Sequence, residues 1–262
     1  MSLAEAGSGH LGGSLGMTDV FTTLYFHSMR HDPSNPEWEA RDRLILSNGH
    51  IAPVLYTSLA HAGYFPKEEL LTLRKLGSRL QGHPGKEHGL PGLELSAGSL
   101  GQGISVSVGM ALAGKLDKKD WFVFCLTGDG ELQEGSVWEA AMSAAHYKLD
   151  NLIVIVDRNR LQIDGPVSQV MGLEPLEEKW RAFGWHVQSC NGHDFAEIIQ
   201  CIDNSKSVTG KPSVILANTV RGKGIATIEN DCRWHGKAPS KGEAEDFIRQ
   251  IMESHRATWG SV

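Results

Sequence analysis

The sequence predicts one α/β domain over residues 1–262, a doubly wound parallel sheet with helices on both faces. Short, almost purely apolar runs recur at intervals of roughly 30 residues beyond residue 120, and helix-like stretches lie between them. Strands that are apolar along their whole length are typical of a parallel sheet covered on each face by helices. A length of 262 residues suits one large domain or two small ones. Because there is no internal repeat or long linker, we expect one.

The predicted strands and helices alternate along most of the chain. Each strand run ends in a polar or glycine turn, as expected of buried strands. The predicted strands are Arg43–Ser47, Trp121–Thr127, Asn151–Asp157, Trp185–Cys190 and Ser213–Thr219. The predicted helices are Ser14–Met29, Gly101–Leu116, Ser136–Lys148, Pro175–Phe183, Asp194–Ser205 and a last one at Lys241–Ser254. Ligands of such sheets bind beyond the carboxyl ends of the strands, so the loops there are expected to form the site.

Composition and charge argue against several function classes. The net charge of -6 argues against nucleic acid or an anionic membrane surface as a partner. No apolar run approaches the roughly 18 residues of a membrane span, and residues 1–9 lack the apolar core of a signal peptide. The four cysteines form no C-x-x-C pair, so we expect a reduced, cytoplasmic protein.

Glycine and histidine adjoin each other often in this sequence. Glycine makes up 30 of the 262 residues, or about 11%, against a usual value near 7%. Six of the twelve histidines adjoin a glycine: His10, His50, His83, His88, His193 and His235. Glycine lets the backbone approach a ligand closely, and histidine transfers protons near neutral pH. This pairing predicts a glycine-lined cofactor site.

Asp129 and Asn159 stand just beyond two neighbouring strands of the predicted sheet. Asp129 lies in a Gly-Asp-Gly turn after one strand, and Asn159 follows the next strand along the chain. Because the carboxyl ends of parallel strands share one edge of a sheet, the two side chains should converge. A few such oxygen ligands suit Mg²⁺ that also binds phosphate oxygens, and the glycines and a helix N-terminus favour the phosphate. Taken alone, a Gly-Asp-Gly turn or an asparagine at a strand end is more often an ordinary structural feature. Together, at this spacing, the two predict a magnesium–phosphate site.

These residues resemble the diphosphate-binding motif of thiamine diphosphate enzymes, and the surrounding segments resemble transketolases in particular. The family's segments occur in family order: Ser8-Gly9-His10, Ser47-Asn48-Gly49-His50, Gly82-His83-Pro84, Leu100-Gly101-Gln102-Gly103, Ile163-Asp164-Gly165 and His235-Gly236. The likeness covers nearly the whole chain but only the diphosphate-binding part of such an enzyme. The chain therefore resembles the N-terminal subunit of a split transketolase. The resemblance implies transfer of a two-carbon ketol unit from a ketose (phosphate) to an aldose (phosphate) through thiamine diphosphate.

The resemblance assigns the metal and cofactor residues. It implies that Asp129 and Asn159 bind Mg²⁺ through side-chain oxygens and Leu161 through its backbone carbonyl, with Ca²⁺ or Mn²⁺ able to substitute. It also implies that the N–H of Gly130 donates to the diphosphate. The cofactor-binding set implied by the family is His50, Leu100, Gly101, Gly130, Glu134, Asn159, Ile163 and His235.

Catalytic roles follow from the same resemblance for four histidines and one glutamate: His10, His50, His83, His235 and Glu134. Imidazoles that titrate near neutrality suit proton transfers to and from sugar hydroxyls. A lone Gly-His is more often a loop histidine, but four in family order favour the catalytic interpretation. Glu134 matches a glutamate of the family's interfacial carboxylate network. Its alternative role is that of a carboxylate at a helix N-terminus, worth about 0.3–1 kcal/mol.

A partner chain is also implied by the resemblance. The family's catalytic glutamate for the aminopyrimidine and most of its substrate-phosphate arginines lie in a domain that we expect on a C-terminal subunit of roughly 300 residues. We expect a heterotetramer of two plus two chains, sugar phosphate substrates and negligible turnover by this chain alone. The chain departs from the common family pattern at Leu11, Ser99 and Lys237, and only nine residues precede His10, where the family usually has a longer helix.

Three other functions stay open at the level of sequence. Gly7–Gly12 satisfies G-x-G-x-x-G, but no strand precedes it, which argues against nicotinamide dinucleotide binding. The α subunit of a 2-oxoacid dehydrogenase shares the aspartate and asparagine but would lack the Ser-Gly-His and Ser-Asn-Gly-His segments. The intact pair of Asp129 and Asn159 argues against a non-catalytic cofactor-binding subunit.

Overall fold

Five parallel strands form the central sheet of this protein. The structure is a computed structural model that describes the backbone of residues 1–259 and the side chains of residues 1–256. The strands are β1 (Arg43–Leu46), β2 (Val123–Gly128), β3 (Leu152–Arg158), β6 (His186–Asn191) and β7 (Ser213–Asn218), in the order β1-β2-β3-β7-β6. A separate short hairpin pairs β4 (Leu161–Gln162) with β5 (Gly165–Pro166). All five predicted strands of the sheet are present, and the parallel α/β fold is confirmed.

The helices surround this sheet. They are α1 (Ser2–Ala6), α2 (Leu11–Gly16), α3 (Thr18–Thr23), α4 (Ala52–Ala62), α5 (Gln102–Leu116), α6 (Gly135–His146), α7 (Val167–Val170), α8 (Leu176–Ala182), α9 (Phe195–Ser207) and α10 (Lys241–Trp259). The predictions for α5, α6, α8 and α9 agree within one or two residues at each end. The last helix continues past its predicted end at Ser254. Among the described helices, none combines the length and the apolar character that crossing a bilayer requires.

Successive side chains of β2 point to opposite faces of the sheet. Phe124 and Leu126 pack into a core formed with α3, α4 and α9. Val123 and Cys125 pack into a second core formed with α5, α6 and α8. Because helices cover both faces, all four side chains are buried, which explains why the strand is apolar throughout rather than alternating.

The prediction of one continuous helix over Ser14–Met29 is wrong. The chain forms α2 and α3, which meet at Met17 (φ -99°, ψ 4°), and then a π-helical turn over Leu24–Ser28. Hydroxyl groups in this segment donate to the carbonyl four residues earlier, a pattern that bends helices: Ser14, Thr18, Thr22 and Thr23. The bend also lets Gly16 pack against Val220, whose carbonyl oxygen would lie 2.9 Å from a Cβ at Gly16.

The register of β2 and β3 places two loops side by side. Gly128 pairs with Asp157 at the last rung of the ladder. Asp129 and Asn159 therefore leave the sheet from neighbouring strand ends. The loop that begins with Ser47, after β1, is held at the same edge, because the N–H of Ser47 donates to a β2 carbonyl (2.8 Å). Loops from several strands thus converge at the carboxyl edge, as the doubly wound fold predicts.

Candidate active site

A cavity of about 290 Å³ opens at the carboxyl ends of the strands. The loops after β1, β2, β3 and β7 contribute to its lining. That lining includes most of the predicted site residues: His10, His50, Leu100, Asp129, Gly130, Glu134, Asn159, Leu161, Ile163 and His235. His83 instead lines a second cavity of about 820 Å³, and Gly101 is buried.

Asp129 is buried at the end of β2, and both of its carboxylate oxygens accept backbone hydrogen bonds. Oδ1 accepts from the N–H of Gly130 (2.8 Å), and Oδ2 accepts from the N–H of Arg160. Arg160 adopts the left-handed conformation (φ 60°), which is uncommon for a residue other than glycine. Burial, and after it the negative charge of Asp157, raises the pKa of Asp129 to about 7. The metal-free site therefore holds a carboxylate at an energetic cost.

Asn159 is fixed through both ends of its side-chain amide. Its Nδ2 donates to Oδ2 of Asp157 (2.8 Å), and its Oδ1 accepts from the N–H of Leu161 (3.0 Å) and from Nη2 of Arg221 (3.1 Å). Asp157 is itself buried and accepts a further hydrogen bond from the hydroxyl of Thr219. Burial raises the pKa of Asp157. These bonds place the amide oxygen of Asn159 on the side that faces Arg221.

Arg221 is the cation of this site, and the sequence analysis missed it. Besides Asn159, its Nη2 donates to the carbonyl oxygen of Leu161 (2.6 Å), and its Nη1 donates to Nδ1 of His235 (3.0 Å). The guanidinium therefore contacts two of the three oxygen donors predicted for the metal. One signal was available in the sequence, since Arg221 stands just beyond the predicted strand at β7 and precedes a glycine.

The donor set of the site fits a divalent cation. Three buried carboxylates of the cavity lining, Asp129, Glu131 and Asp157, are accompanied by one guanidinium, that of Arg221. Burial raises the pKa of all three carboxyls. The oxygens of Asp129, Asn159 and Leu161 are the kind that Mg²⁺ prefers, and they leave positions for phosphate oxygens. Across the part of the chain that the structure describes, no three histidine, cysteine, aspartate or glutamate side chains form a metal cluster. A cation here would thus be shared between the protein and a bound phosphate group.

Four imidazole rings from separate segments form one cluster. The ring centroid of His10 lies 4.9 Å from that of His50, 5.9 Å from that of His83 and 5.5 Å from that of His235. The ring centroid of His50 lies 4.8 Å from that of His83 and 6.0 Å from that of His235. Burial lowers the pKa of all four, to about 3 for His10 and about 4 for His235. At neutral pH the imidazoles are therefore uncharged, and each has one accepting ring nitrogen. In His235 that nitrogen is Nδ1, which already accepts from Arg221, so its Nε2 carries the hydrogen.

Comparison with known proteins decides the family. Residues 2–255 match the family described as "Transketolase, thiamine diphosphate binding domain". The chain belongs to the transketolase family. The predicted family is thus confirmed. The matched domain is one that binds thiamine diphosphate, which agrees with the predicted cofactor.

Relatives of this transketolase-family chain fall into two length classes. A 6-deoxy-6-sulfo-D-fructose transketolase subunit from Clostridium sp. (strain MSTE9) is 48% identical, over 89% of this chain and 84% of its own length. An apulose-4-phosphate transketolase subunit from Phocaeicola vulgatus is 43% identical, over 95% of this chain and 88% of its own length. Human transketolase is 41% identical over 94% of this chain, which covers only 39% of the human protein. The chain therefore spans most of the relatives named as subunits and about two fifths of the longer transketolase.

A solved transketolase has the same fold. The crystal structure of transketolase from Campylobacter jejuni superposes with a TM-score of 0.89 at 37% identity. The match covers 97% of this chain and 40% of that chain. This similarity confirms the α/β architecture over nearly the whole chain.

In this transketolase-family chain, two N–H groups predicted near the cofactor donate within the protein. The N–H of Gly130 donates to Asp129, and that of Gly101 donates to Oε1 of Glu131 (2.8 Å). Glu131, which the sequence analysis did not select, is buried and also accepts from the hydroxyl of Ser47 (2.5 Å) and from a backbone N–H at the end of β2 (3.1 Å). Its carboxylate therefore connects the loops after β1 and β2 with the start of α5.

Glu134 and Ile163 are exposed residues of the cavity lining. Glu134 is the residue at the N-terminus of α6, so its position agrees with the alternative role of a carboxylate favoured there, although its side chain makes no cap hydrogen bond. Ile163 is 65% exposed, and Leu100 is half-buried.

Proposed function

We propose that this chain is the cofactor-binding subunit of a split transketolase and that residues 1–262 form a single domain. Its reaction is the transfer of a two-carbon ketol unit from a ketose phosphate to an aldose phosphate acceptor through thiamine diphosphate. The observation that carries the proposal is the meeting of Asp129 and Asn159 with a cluster of uncharged histidines at one cavity. Membership of the transketolase family and the relatives named as subunits support it.

In this proposal Mg²⁺ binds the oxygens of Asp129, Asn159 and Leu161, and Mn²⁺ or Ca²⁺ can substitute. Arg221 contacts two of these oxygens in the metal-free chain, so its guanidinium would be available to pair with diphosphate charge if a metal ion took its place. When bound, thiamine diphosphate supplies the nucleophilic carbon and the electron sink of the transfer. The remaining proposed cofactor contacts are His50, Leu100, Gly101, Gly130, Glu134, Ile163 and His235.

The proposed role of His10, His50, His83 and His235 is to accept and return the protons of sugar hydroxyls. Their lowered pKa values keep them uncharged at neutral pH, which is the form that accepts a proton. His83 lines the larger cavity while its ring contacts His10 and His50. The cluster therefore connects the two cavities, which suits a substrate that reaches the cofactor through the larger one.

A partner subunit completes the proposed enzyme. Relatives that this chain nearly spans are named as transketolase subunits, which implies a second chain in those proteins. We propose that the partner covers the exposed apolar surface around Ile163 and Met171, with two copies of each chain in the complex. Glu134, which precedes α6 beside that surface, is proposed to join a carboxylate network at the interface. A cytoplasmic location remains a prediction from the free cysteines of the described chain.

The proposed function is tested by reconstitution with the proposed C-terminal subunit, which we expect a neighbouring gene to encode. Release of aldose from ketose phosphates is assayed with thiamine diphosphate and Mg²⁺, for each chain alone and for the mixture. We expect turnover only in the mixture, with loss of activity when EDTA removes the metal. Turnover by this chain alone would contradict the split arrangement. Decarboxylation of 2-oxo acids without ketol transfer would contradict the transketolase assignment.

A further inference from the structure

Arg74 lies between the two loops that carry His10 and His83. It follows a 3₁₀ turn over Lys67–Thr72, and its N–H donates to the carbonyl of Leu80 (2.9 Å). The backbone of Arg74 is left-handed (φ 59°), a conformation that residues other than glycine rarely adopt. The surrounding structure must therefore hold it in place. The fold therefore maintains Arg74 in a costly backbone conformation at this point.

The side chain of Arg74 packs on the glycines that precede the two histidines. A Cβ on Gly82 would lie 2.7 Å from Nε and Cζ of Arg74, and one on Gly9 would lie 3.6 Å from Nε. Nη1 donates weakly to the hydroxyl of Ser8 (3.4 Å), and Nη2 donates weakly to the carbonyl of Gly82 (3.5 Å). The close approach at Gly82 gives a physical reason for glycine before His83, because a side chain there would displace the arginine.

Among the residues that the structure describes, none forms an ion pair with Arg74. Both side-chain hydrogen bonds go to neutral oxygens, whereas Arg79, five residues later, forms a two-pronged pair with the carboxylate of Glu69 (2.6 and 3.0 Å). An unneutralised cation disfavours protonation of imidazoles near it. After burial, it is one of the causes that lower the pKa of three histidines: His10, His50 and His83.

We propose that Arg74 is a positioning residue for the transfer reaction: it joins the His10 and His83 loops beside the cofactor cavity, and its charge keeps their imidazoles in the uncharged form. This proposal rests on the proposed function, because uncharged imidazoles matter only where a substrate delivers protons to them. Arg74 also lines the larger cavity together with His83, so it acts at the junction through which a substrate would pass.

Besides burial, the groups that lower the pKa of the clustered histidines are cations and other imidazoles. Arg74 acts on His10, His50 and His83, and Arg221 acts on His235. Asp129 and Asp157 act on Arg221. Carboxylates also line the two cavities: Asp129, Glu131, Glu134, Asp157 and Asp164 beside His10, His50 and His235, and Glu87 beside His83. His235 therefore serves as an internal reference, since its environment contains the other arginine.

The direct test is an NMR titration of the histidine Cε1–H signals in the full chain. We expect R74Q to move the midpoints of His10, His50 and His83 to higher pH and to leave that of His235 in place. R74K keeps the charge and should leave all four midpoints near their wild-type positions, and R79Q is the control for a paired arginine. Unchanged midpoints in R74Q would overturn the proposal. An equal upward movement of all four would also overturn it, because that result indicates a loosened site that admits water.

The activity test uses the complex with the partner subunit. In R74Q we expect the acidic limb of the kcat/KM profile to move to higher pH, and kcat/KM at its optimum to fall roughly 10- to 100-fold. R74K should keep the wild-type position of the limb. An active wild type with an unchanged R74Q profile contradicts only the role of Arg74. An inactive wild-type complex contradicts the proposed function, while the NMR titration still decides whether Arg74 controls the imidazoles.

Discussion

Replacing Asp129 by asparagine is expected to stabilise the metal-free chain at alkaline pH although it removes a proposed metal ligand. The folded-state pKa of Asp129 is raised to about 7 from an ordinary 3.8, and this difference corresponds to about 4 kcal/mol. Because the folded state binds the proton more tightly, the wild type loses stability as pH rises from about 4 to about 7. Asparagine carries no charge, so its folded state does not lose stability as the pH rises. Its amide NH₂ would face one of the two backbone N–H groups that donate to Asp129, which costs about 1–3 kcal/mol of folding free energy at every pH.

Urea denaturation followed by tryptophan fluorescence at pH 5 and pH 8, without divalent metal, measures this effect. The free energy of unfolding of Asp129→Asn relative to wild type should rise by about 3 kcal/mol between the two pH values. Asp150→Asn is the matched control. Partial burial alone would raise the pKa of Asp150, but hydrogen bonds from Gly210 and Lys115 outweigh it and lower that pKa. The carboxylate of Asp150 is therefore ionised throughout this pH range. A difference for Asp129→Asn that stays level or falls from pH 5 to pH 8 would refute the claim that this carboxylate is held at a cost.

Three further substitutions test the contacts of the site. Arg221→Met removes the guanidinium that donates to Asn159, Leu161 and His235, so the metal-free chain should lose about 1–3 kcal/mol in urea denaturation at pH 8, and no loss would contradict these contacts. Gly103→Ala places a Cβ 2.6 Å from Cα of Ser47 and should lower the free energy of unfolding by about 1–3 kcal/mol. Gly109→Ala in the same helix meets open space and should raise it by up to about 1 kcal/mol. Equal effects of the two substitutions would contradict the close packing of Gly103 on Ser47. Asp129→Ala should abolish the Mg²⁺-dependent part of thiamine diphosphate binding in calorimetry, and unchanged affinity would refute the metal site.

The elements that could be predicted from sequence are those whose signal is local. β2 and β3 are buried on both faces, so their apolar runs stand out without alternation. The meeting of Asp129 and Asn159 followed from topology alone, because neighbouring parallel strands end at one edge. The histidine segments could be selected because each adjoins a glycine. Their mutual contacts, at 4.8–6.0 Å between ring centroids, could not be read from the sequence.

The residues that sequence reasoning missed act through contacts distant in the chain. Glu131 receives hydrogen bonds from Ser47 and Gly101, which lie 84 and 30 residues away, so no local pattern marks it. Arg221 reaches Asn159 across 62 residues. The break in the predicted helix over Ser14–Met29 depends partly on hydroxyl groups that bond back to the helix, which apolar periodicity does not register.

The central claim is that Asp129, Asn159 and the carbonyl of Leu161 bind one metal ion together with a diphosphate. The most direct measurement is a crystal structure of the complex with the partner subunit, grown with thiamine diphosphate and Mn²⁺, using anomalous diffraction from manganese. The account predicts one anomalous peak about 2.0–2.3 Å from an oxygen of each of the three residues, with Arg221 displaced from Asn159. A bound cofactor whose manganese peak lies away from Asp129 and Asn159 would contradict it.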